Sequence, residues 1–525
     1  MHLGPRARSV VFLILAIATA ASGPSVAIPA GPPDARAADL PLQAVGAPGG
    51  KIANGLPSQD YPSVGQLQTA AGTCSGTLVG CQTFLTAAHC VCGDPVTGLI
   101  LNGKQCNARP DLLDPRGKRV FFQHAGLFEV ASIAVLPRFQ FRLRGDLAVL
   151  TLARPVTGIG TSRLNLVQKP ATGTPGTIVG FGSDGSGSLS GIKRAGEVTT
   201  ASCVGVNDAT HVCFTFDNPL GPPGSNSDTC PGDSGGPLFL NFGTSEVVAG
   251  VTSGGDGQGC HPVDHSFDAD VFLDRAWLQA QGGVDLDRGF CGDLTPAGGR
   301  GSEVLGRDGA LGKALRQGFG FDVPAGTERL RLALNGETGA GFVFYARAGD
   351  RPTPESADCQ GETAGSPAFC EVLGPTPGPW SVLVRRVSGE DGKAPFQLTA
   401  TLLAHLAPPG PCIPSATALC LGQGRFRVEA TWQTLDGTIG TARTLPLSDL
   451  TGFFSFFDPA NVEVAVKVLD ACKSSGRFWV LAAGLTDVRT LLRVTDTASG
   501  ATRTYLSPQG TPFGPVMDTA AFTCP

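Results

Sequence analysis

Long apolar stretches are nearly absent from this chain. Only Val10 to Ala21, behind Arg6 and Arg8, forms an apolar core, and that core is short for a membrane span. No later run is long enough to cross a bilayer as a helix, so no transmembrane segment is expected. Basic tracts are missing as well: 39 Lys and Arg are scattered against 44 Asp and Glu, for a net charge of −5. This excludes the electrostatic footprint of a nucleic-acid partner or of an anionic membrane surface. No Cys-x-x-Cys pair stands near a His-x-x-x-His, which removes the common structural zinc pattern. Neither a metal nor any other cofactor is implied.

What the chain does hold is cysteine, 16 residues of it, behind an N-terminus that reads as an export signal. Ala18, Ala20 and Ala27 offer small-residue cleavage sites. The expectation is a signal peptide over 1–27 and a Pro/Ala/Gly-rich propeptide over 28–51 with little capacity to fold alone. The destination is then extracellular, periplasmic or cell-surface, where cysteines pair as disulfides.

The 525 residues exceed one typical domain, so two to four are expected. From Ile52 to about Gly283, short apolar runs are broken by Gly, Pro, Asn and Asp, as in Thr177-Ile178-Val179-Gly180-Phe181-Gly182 and Glu246-Val247-Val248-Ala249-Gly250-Val251. Such punctuation suits an antiparallel barrel. Val271 to Leu278 has helical spacing. The glycine-rich stretch 284–312 reads as a linker. Alternation in Pro379–Arg385 and Phe396–Ala400 predicts a β-sandwich over 313–404. Beyond Pro408-Pro409-Gly410-Pro411, the segments Gly424–Trp432 and Val462–Val468 alternate strictly and predict a further β-module over 411–525. The fold class is all-β.

The chemistry concentrates in Gly232-Asp233-Ser234-Gly235-Gly236-Pro237. A serine hydroxyl is a poor nucleophile unless a base removes its proton as it attacks. Flanking glycines leave the backbone open, so the amides of Gly232 and Ser234 can both face a developing oxyanion. Upstream stand Leu85-Thr86-Ala87-Ala88-His89-Cys90 and Gly145-Asp146-Leu147-Ala148-Val149-Leu150. Taken singly, these are a glycine-rich turn, a core histidine and a loop-end carboxylate. Together, in the order His, Asp, Ser, they resemble the trypsin/chymotrypsin-like serine proteases across about 52–283.

That resemblance implies two six-stranded barrels with the site in the cleft between them. His89 would serve as general base and then general acid, with Asp146 orienting its ring and Ser234 as nucleophile. Lys51-Ile52-Ala53-Asn54-Gly55 resembles the family's activation site, with Ala53 where Val is usual. Cleavage after Lys51 would free the Ile52 ammonium to pair with Asp233, a switch thrown by removing a pro-segment. The same resemblance pairs Cys74 with Cys90, Cys203 with Cys213, and Cys230 with Cys260. Cys81, Cys92, Cys106 and Cys291 stay unassigned.

Asp228 stands six residues before Ser234, where a trypsin-like pocket carries its basal carboxylate and selects Arg or Lys. Ser253 would bind substrate backbone, and Gly255 would leave the pocket entrance open. Two departures bear on this pocket. Ser253-Gly254-Gly255 lacks the family's tryptophan wall, and Ser266 replaces a wall glycine, which narrows the space.

Residues 313–404 resemble the bacterial pre-peptidase C-terminal domain, on Phe321–Thr327 and the two alternating runs above. The last module is similar to one recurring, without known activity, in secreted bacterial proteins. Its aromatics from Phe453 to Phe457 are either core or a face for a surface or glycan ligand. The leading reading is a secreted serine endopeptidase acting on protein or peptide substrates, cleaving after Arg or Lys. The alternative is a weakly active or inactive protease scaffold that binds surfaces through its C-terminal β-modules.

Overall fold

The computed structural model describes residues 52–524 apart from 184–189, 243–245, 258–259, 293, 297–304, 363–366, 406–410, 435–438, 500, 508–509 and 511. The expected signal peptide, the propeptide and Lys51 lie outside the described residues. Those described belong to one compact unit.

Seven strands open the chain: β1 (Leu56–Pro57), β2 (Val64–Thr69), β3 (Gly72–Leu78), β4 (Thr83–Thr86), β5 (Arg119–Phe122), β6 (Gly126–Val135) and β7 (Ala148–Leu152). Strands β2-β3-β4-β7-β6-β5 close into an antiparallel barrel. Its interior is filled by Leu67, Phe84, Phe122, Phe128 and Leu150, all fully buried, while Phe121 on the other face of β5 meets Phe181 of the second barrel. Six strands follow: β8 (Pro175–Gly180), β9 (Arg194–Ala201), β10 (His211–Phe216), β11 (Pro237–Asn241), β12 (Glu246–Gly254) and β13 (Asp264–Asp270). They run in the order β9-β10-β13-β12-β11-β8, and the β8–β9 pairing closes this second barrel. β1 attaches to β9 at its side. A helix at Arg275–Gly282 and a short helical turn at Gly283–Asp287 follow the second barrel.

Disulfides join Cys74–Cys90, Cys203–Cys213 and Cys230–Cys260. The four unassigned cysteines pair as Cys92–Cys106 and Cys81–Cys291. The latter fastens the segment after the terminal helix back to the first barrel, where Asp285 also accepts hydrogen bonds from the Gln82 amide and the Thr83 hydroxyl.

Nine strands build the next layer pair: β14 (Leu294–Pro296), β15 (Leu305–Gly312), β16 (Arg316–Val323), β17 (Arg329–Gly336), β18 (Gly341–Ala348), β19 (Cys359–Glu362), β20 (Ala368–Leu373), β21 (Gly378–Ser388) and β22 (Lys393–His405). One sheet holds β14, β15, β22, β17 and β20, the other β16, β21, β18 and β19. The stretch expected to be a linker therefore contributes two strands. β15 pairs with β22 along its whole length, from Leu305 opposite Ala400 to Gly312 opposite Lys393. Leu305 and Leu311 point into the sandwich core. Glycine is needed at 309 because the cross-strand Phe396 ring would lie 2.5 Å from a Cβ there. Glycine content suggested a linker, but here glycine is the partner of an aromatic ring.

The final module packs two five-stranded sheets around Phe426, Phe454, Val466, Val480 and Leu492. Cys412–Cys420 and Cys472–Cys524 brace it. The aromatic run does not form an exposed face: Phe454 and Phe456 are buried, and Phe457 alone of the run is largely exposed.

Candidate active site

The two barrels bring the three motifs to one cleft. His89 sits on a short helical turn, Ala88–Cys90, immediately after β4. Asp146 directly precedes β7, its strand neighbour in the first barrel. Ser234 comes from the other barrel, in the loop leading into β11. Two contacts lock that loop: across the cleft the Ser75 amide donates to the Ser234 carbonyl at 2.8 Å, and within the second barrel the Gly235 amide donates to the Thr252 carbonyl at 2.8 Å.

Asp146 is buried and fully engaged. Its Oδ2 lies 2.7 Å from His89 Nδ1, its Oδ1 accepts from the His89 amide at 2.9 Å, and the Ser253 hydroxyl donates to Oδ2 at 2.6 Å. The carboxylate thus fixes both the backbone and the ring of His89 and leaves Nε2 for the cleft. A carboxylate on Nδ1 selects the tautomer whose Nε2 can accept a proton and stabilises the imidazolium that results. Ser253, expected to bind substrate backbone, turns its hydroxyl to this carboxylate. His89 and the sulfurs of Cys74 and Cys90 lie within 4.8 Å of one another. Both sulfurs belong to a disulfide, so the cluster offers no thiolate to a metal.

Gly232 has φ +101°, a region that favours glycine, and a Cβ there would meet Gly182 Cα at 2.9 Å. Its carbonyl accepts from the Ser75 hydroxyl at 2.9 Å, which fixes the plane of the following peptide. The amides of Asp233, Gly235 and Gly236 are used inside the loop or across to β12. Among the described residues, no group accepts from the amides of Gly232 and Ser234. Two unengaged donors beside a serine can stabilise negative charge on a substrate oxygen.

Asp233 points away from the cleft and accepts from the amides of Gly182 at 2.7 Å and Cys230 at 2.9 Å. Burial pushes its carboxyl up to about 7, which those two amides and the charge of Arg194 only partly offset. A buried acid in that state gains from a cationic partner. Ile52 is buried in the second barrel against Ile178, Val198 and Val212.

Asp228 is fully buried, and its backbone bridges to Ala53. The Ser266 hydroxyl donates to its Oδ1 at 2.5 Å, so Ser266 stands at the base of the pocket. Period-two alternation along β13 puts Asp264, Ser266, Asp268 and Asp270 on one face. Asp264 accepts from the amides of Asp256, Gly257 and His265, and its carboxylate lies 2.9 Å from where a Gly255 Cβ would be. The space beside Gly255 thus holds a carboxylate. Asp268 is also fully buried; among the described residues neither of its oxygens nor Asp228 Oδ2 has a hydrogen-bond partner. Burial, with added repulsion from Asp264, pushes Asp228 up to about 8. Asp268 is raised as well, by burial and by the charge of Asp228. Sequence reasoning missed Asp264 and Asp268, although an acidic residue at every second position of a strand that must be half-buried was a usable signal.

With this geometry in place, comparison with known proteins is decisive. A family model described as Trypsin matches residues 52–272. The "Trypsin" of Saccharopolyspora erythraea is 30% identical over 223 residues, 40% of this chain and 86% of that protein. The chain belongs to the trypsin family of serine proteases. "Brachyurin" of Leptuca pugilator is 31% identical over 223 residues, covering 40% of this chain and 88% of its own, and "Trypsin iota" of Drosophila melanogaster is 28% identical over 220 residues, covering 40% and 79%. Residues 317–386 match the Bacterial pre-peptidase C-terminal domain. The trypsin-family protein is thus a serine-type endopeptidase followed by that domain and a further β-module.

Proposed function

We propose that this endopeptidase is exported and works through His89, Asp146 and Ser234, cleaving after Arg or Lys once the chain is cut behind Lys51. The observation that carries the catalytic assignment is the Asp146 carboxylate, which spans the His89 amide and Nδ1 and takes a third bond from Ser253. Ser234 attacks the scissile carbonyl while His89 takes its proton. The amides of Gly232 and Ser234 then hold the oxyanion, and His89 returns the proton to the leaving amine. Water repeats the sequence on the acyl-enzyme. A scaffold that only bound surfaces would have no use for this constellation.

Arg or Lys selection rests on the carboxylates around the pocket. Asp228, Asp264 and Asp268 bring their carboxyl groups near one another, and a cationic side chain is the substrate group that favours the ionised form of the buried Asp228 and compensates it. Activation rests on Asp233, a buried acid beside the nucleophile that gains from the Ile52 ammonium freed by cleavage. Export is supported by the disulfides, eight among the described residues. Among the described residues no helix is long and apolar enough to cross a membrane.

The test is a mixed peptide library offered to the chain cleaved behind Lys51, beside its Ser234→Ala form. Cleavage after Arg and Lys, lost by several orders of magnitude in Ser234→Ala, is the expected result. More than about a tenth of the activity surviving in Ser234→Ala would overturn the catalytic assignment. A preference for Ala, Leu or Phe would remove the specificity reading alone.

A further inference from the structure

The sheet of the pre-peptidase C-terminal domain that contains β17 and β22 is buried on both faces. Leu330, Leu332, Leu334, Leu398, Ala400 and Leu402 fill the sandwich core. The alternate residues Arg331, Asn335, Gln397, Thr399 and Thr401 are polar, yet none is more than 3% exposed. In an antiparallel sheet with one solvated face, these polar positions would be the wet ones. Here they bond the protease instead. Thr399 Oγ1 donates to the Gln123 carbonyl at 2.8 Å, Arg331 donates to the Thr157 carbonyl at 2.6 Å, and Thr401 meets buried His124 at 3.0 Å.

One part of this contact is aimed at a particular segment. Gln397 takes the Lys193 amide at 2.8 Å and donates to the Lys193 carbonyl at 3.0 Å. Asn335 donates to the Gly191 carbonyl at 2.8 Å and to Gln397 Oε1 at 2.8 Å. The Thr338 amide and hydroxyl both donate to the Ser190 carbonyl, at 2.7 and 2.8 Å, and the hydroxyl bond is the one that alanine would remove. Residues 190–193 lead into β9 and are joined at their base to the end of β8, where the Gly191 amide donates to the Phe181 carbonyl at 2.8 Å. On their other side they reach the nucleophile loop. A Cβ on Gly232 would lie 3.2 Å from Ser190 Cβ and 2.9 Å from Gly182 Cα, and Gly182 donates to Asp233. The Ser75 hydroxyl ties the two sides together, accepting from the Phe181 amide at 2.9 Å and donating to the Gly232 carbonyl at 2.9 Å.

We propose that the C-terminal sandwich is a fixed part of the catalytic apparatus, in which Asn335, Gln397 and Thr338 are positioning residues that hold Ser190–Lys193 against Gly232 and so set the oxyanion donors. The proposal rests on the reading of Gly232 and Ser234 as those donors. None of the three touches the reacting atoms; each acts through the backbone of 190–193. A strand edge bonded on both sides has one arrangement, whereas the same segment without the sandwich would carry several unpaired backbone groups. An oxyanion donor contributes most in the transition state and little in the ground-state complex. Loosening this segment therefore lowers kcat and leaves KM in place.

The experiment compares the full chain, cleaved behind Lys51, with Asn335→Ala/Gln397→Ala and, as a milder change, Thr338→Ala. The control is Thr399→Val, which removes the bond of the same interface to the Gln123 carbonyl and none of the bonds to residues 190–193. The probes are kcat and KM on a peptide substrate and the inhibition constant of a peptide boronate, whose tetrahedral adduct occupies the oxyanion site. The double variant is expected to lose about tenfold in kcat and in boronate affinity with KM unchanged, Thr338→Ala to lose less, and Thr399→Val to keep both. Full kcat in a folded Thr338→Ala and double variant would overturn the proposal, as would an equal loss in Thr399→Val or a loss expressed in KM. If the double variant does not fold, Thr338→Ala against Thr399→Val decides. A wild-type chain without peptidase activity would instead refute the underlying assignment of Ser234.

Discussion

Binding of a cation in the specificity pocket is expected to be a proton exchange. Asp228 is pushed up to about 8 because it is buried with Oδ2 unbonded and Asp264 nearby. Below that pH the empty pocket is mostly neutral, and a guanidinium or amidinium needs the ionised form. The apparent affinity equals the intrinsic affinity multiplied by the ionised fraction. At pH 7 that fraction is about one tenth, at pH 6 about one hundredth, and above pH 8 it approaches one. The dissociation constant of benzamidine should therefore fall by about tenfold per pH unit between 5 and 7 and level off above 8. Calorimetry in buffers of different ionisation enthalpy should count close to one proton released per ligand at pH 6. Asp264→Asn removes the neighbouring carboxyl whose charge raises Asp228 and should move the midpoint to lower pH. Asp228→Asn should weaken binding and abolish the slope. An affinity flat from pH 5 to 8.5, with tight binding, would show that Asp228 is already ionised in the free enzyme and that the pocket is more open to water than its burial implies.

Further outcomes follow from the same contacts. Ser75→Ala leaves the Phe181 amide without its acceptor and should cost about 1–3 kcal/mol in unfolding experiments, with a fall in kcat. Replacing Cys81 and Cys291 by Ala opens a crosslink between positions 210 residues apart and should lower stability by about 2–5 kcal/mol, read by denaturant titration with the other disulfides oxidised. Asp228 and Asp233 are carboxyls raised in the folded chain, so folding takes up protons; stability of the uncleaved precursor should fall as pH rises from about 4 to 8, and a melting temperature that rises over this interval would contradict the buried states.

Legibility in the sequence followed the range of the interactions. The nucleophile loop could be read because its geometry is written locally: Gly232 must adopt φ +101° and Gly235 φ +83°, and only glycines next to the serine permit that. His89 and Asp146 could be read because each lies at a strand end that a short motif announces. The acidic face of β13 was harder, since period-two alternation says that one face is buried without saying what it faces. Asp264 and Asp268 became pocket residues only when β13 was seen to pass beside Asp228. The linker expectation failed for a related reason. Glycine at 309 is a flexible residue in isolation and a close-packed one opposite Phe396.

The polar face of the sandwich marks where sequence reasoning ends. Arg331, Asn335, Gln397 and Thr399 alternate with leucines and alanines, and that pattern ordinarily means one face in water. Their burial is decided by backbone carbonyls and amides of residues 123, 157, 191 and 193, roughly 140 to 280 positions away. A polar side chain that satisfies a distant backbone group leaves no apolar signature, yet each such bond is costly to lose once water is excluded. The interface therefore takes its specificity from these polar bonds, and together with Ala333, Phe369 and Leu403, which lie against the first barrel, they give the sandwich a defined seat on the catalytic barrels. That seat is what makes the domain a structural participant in turnover, because the backbone it grips is the backbone that packs against Gly232.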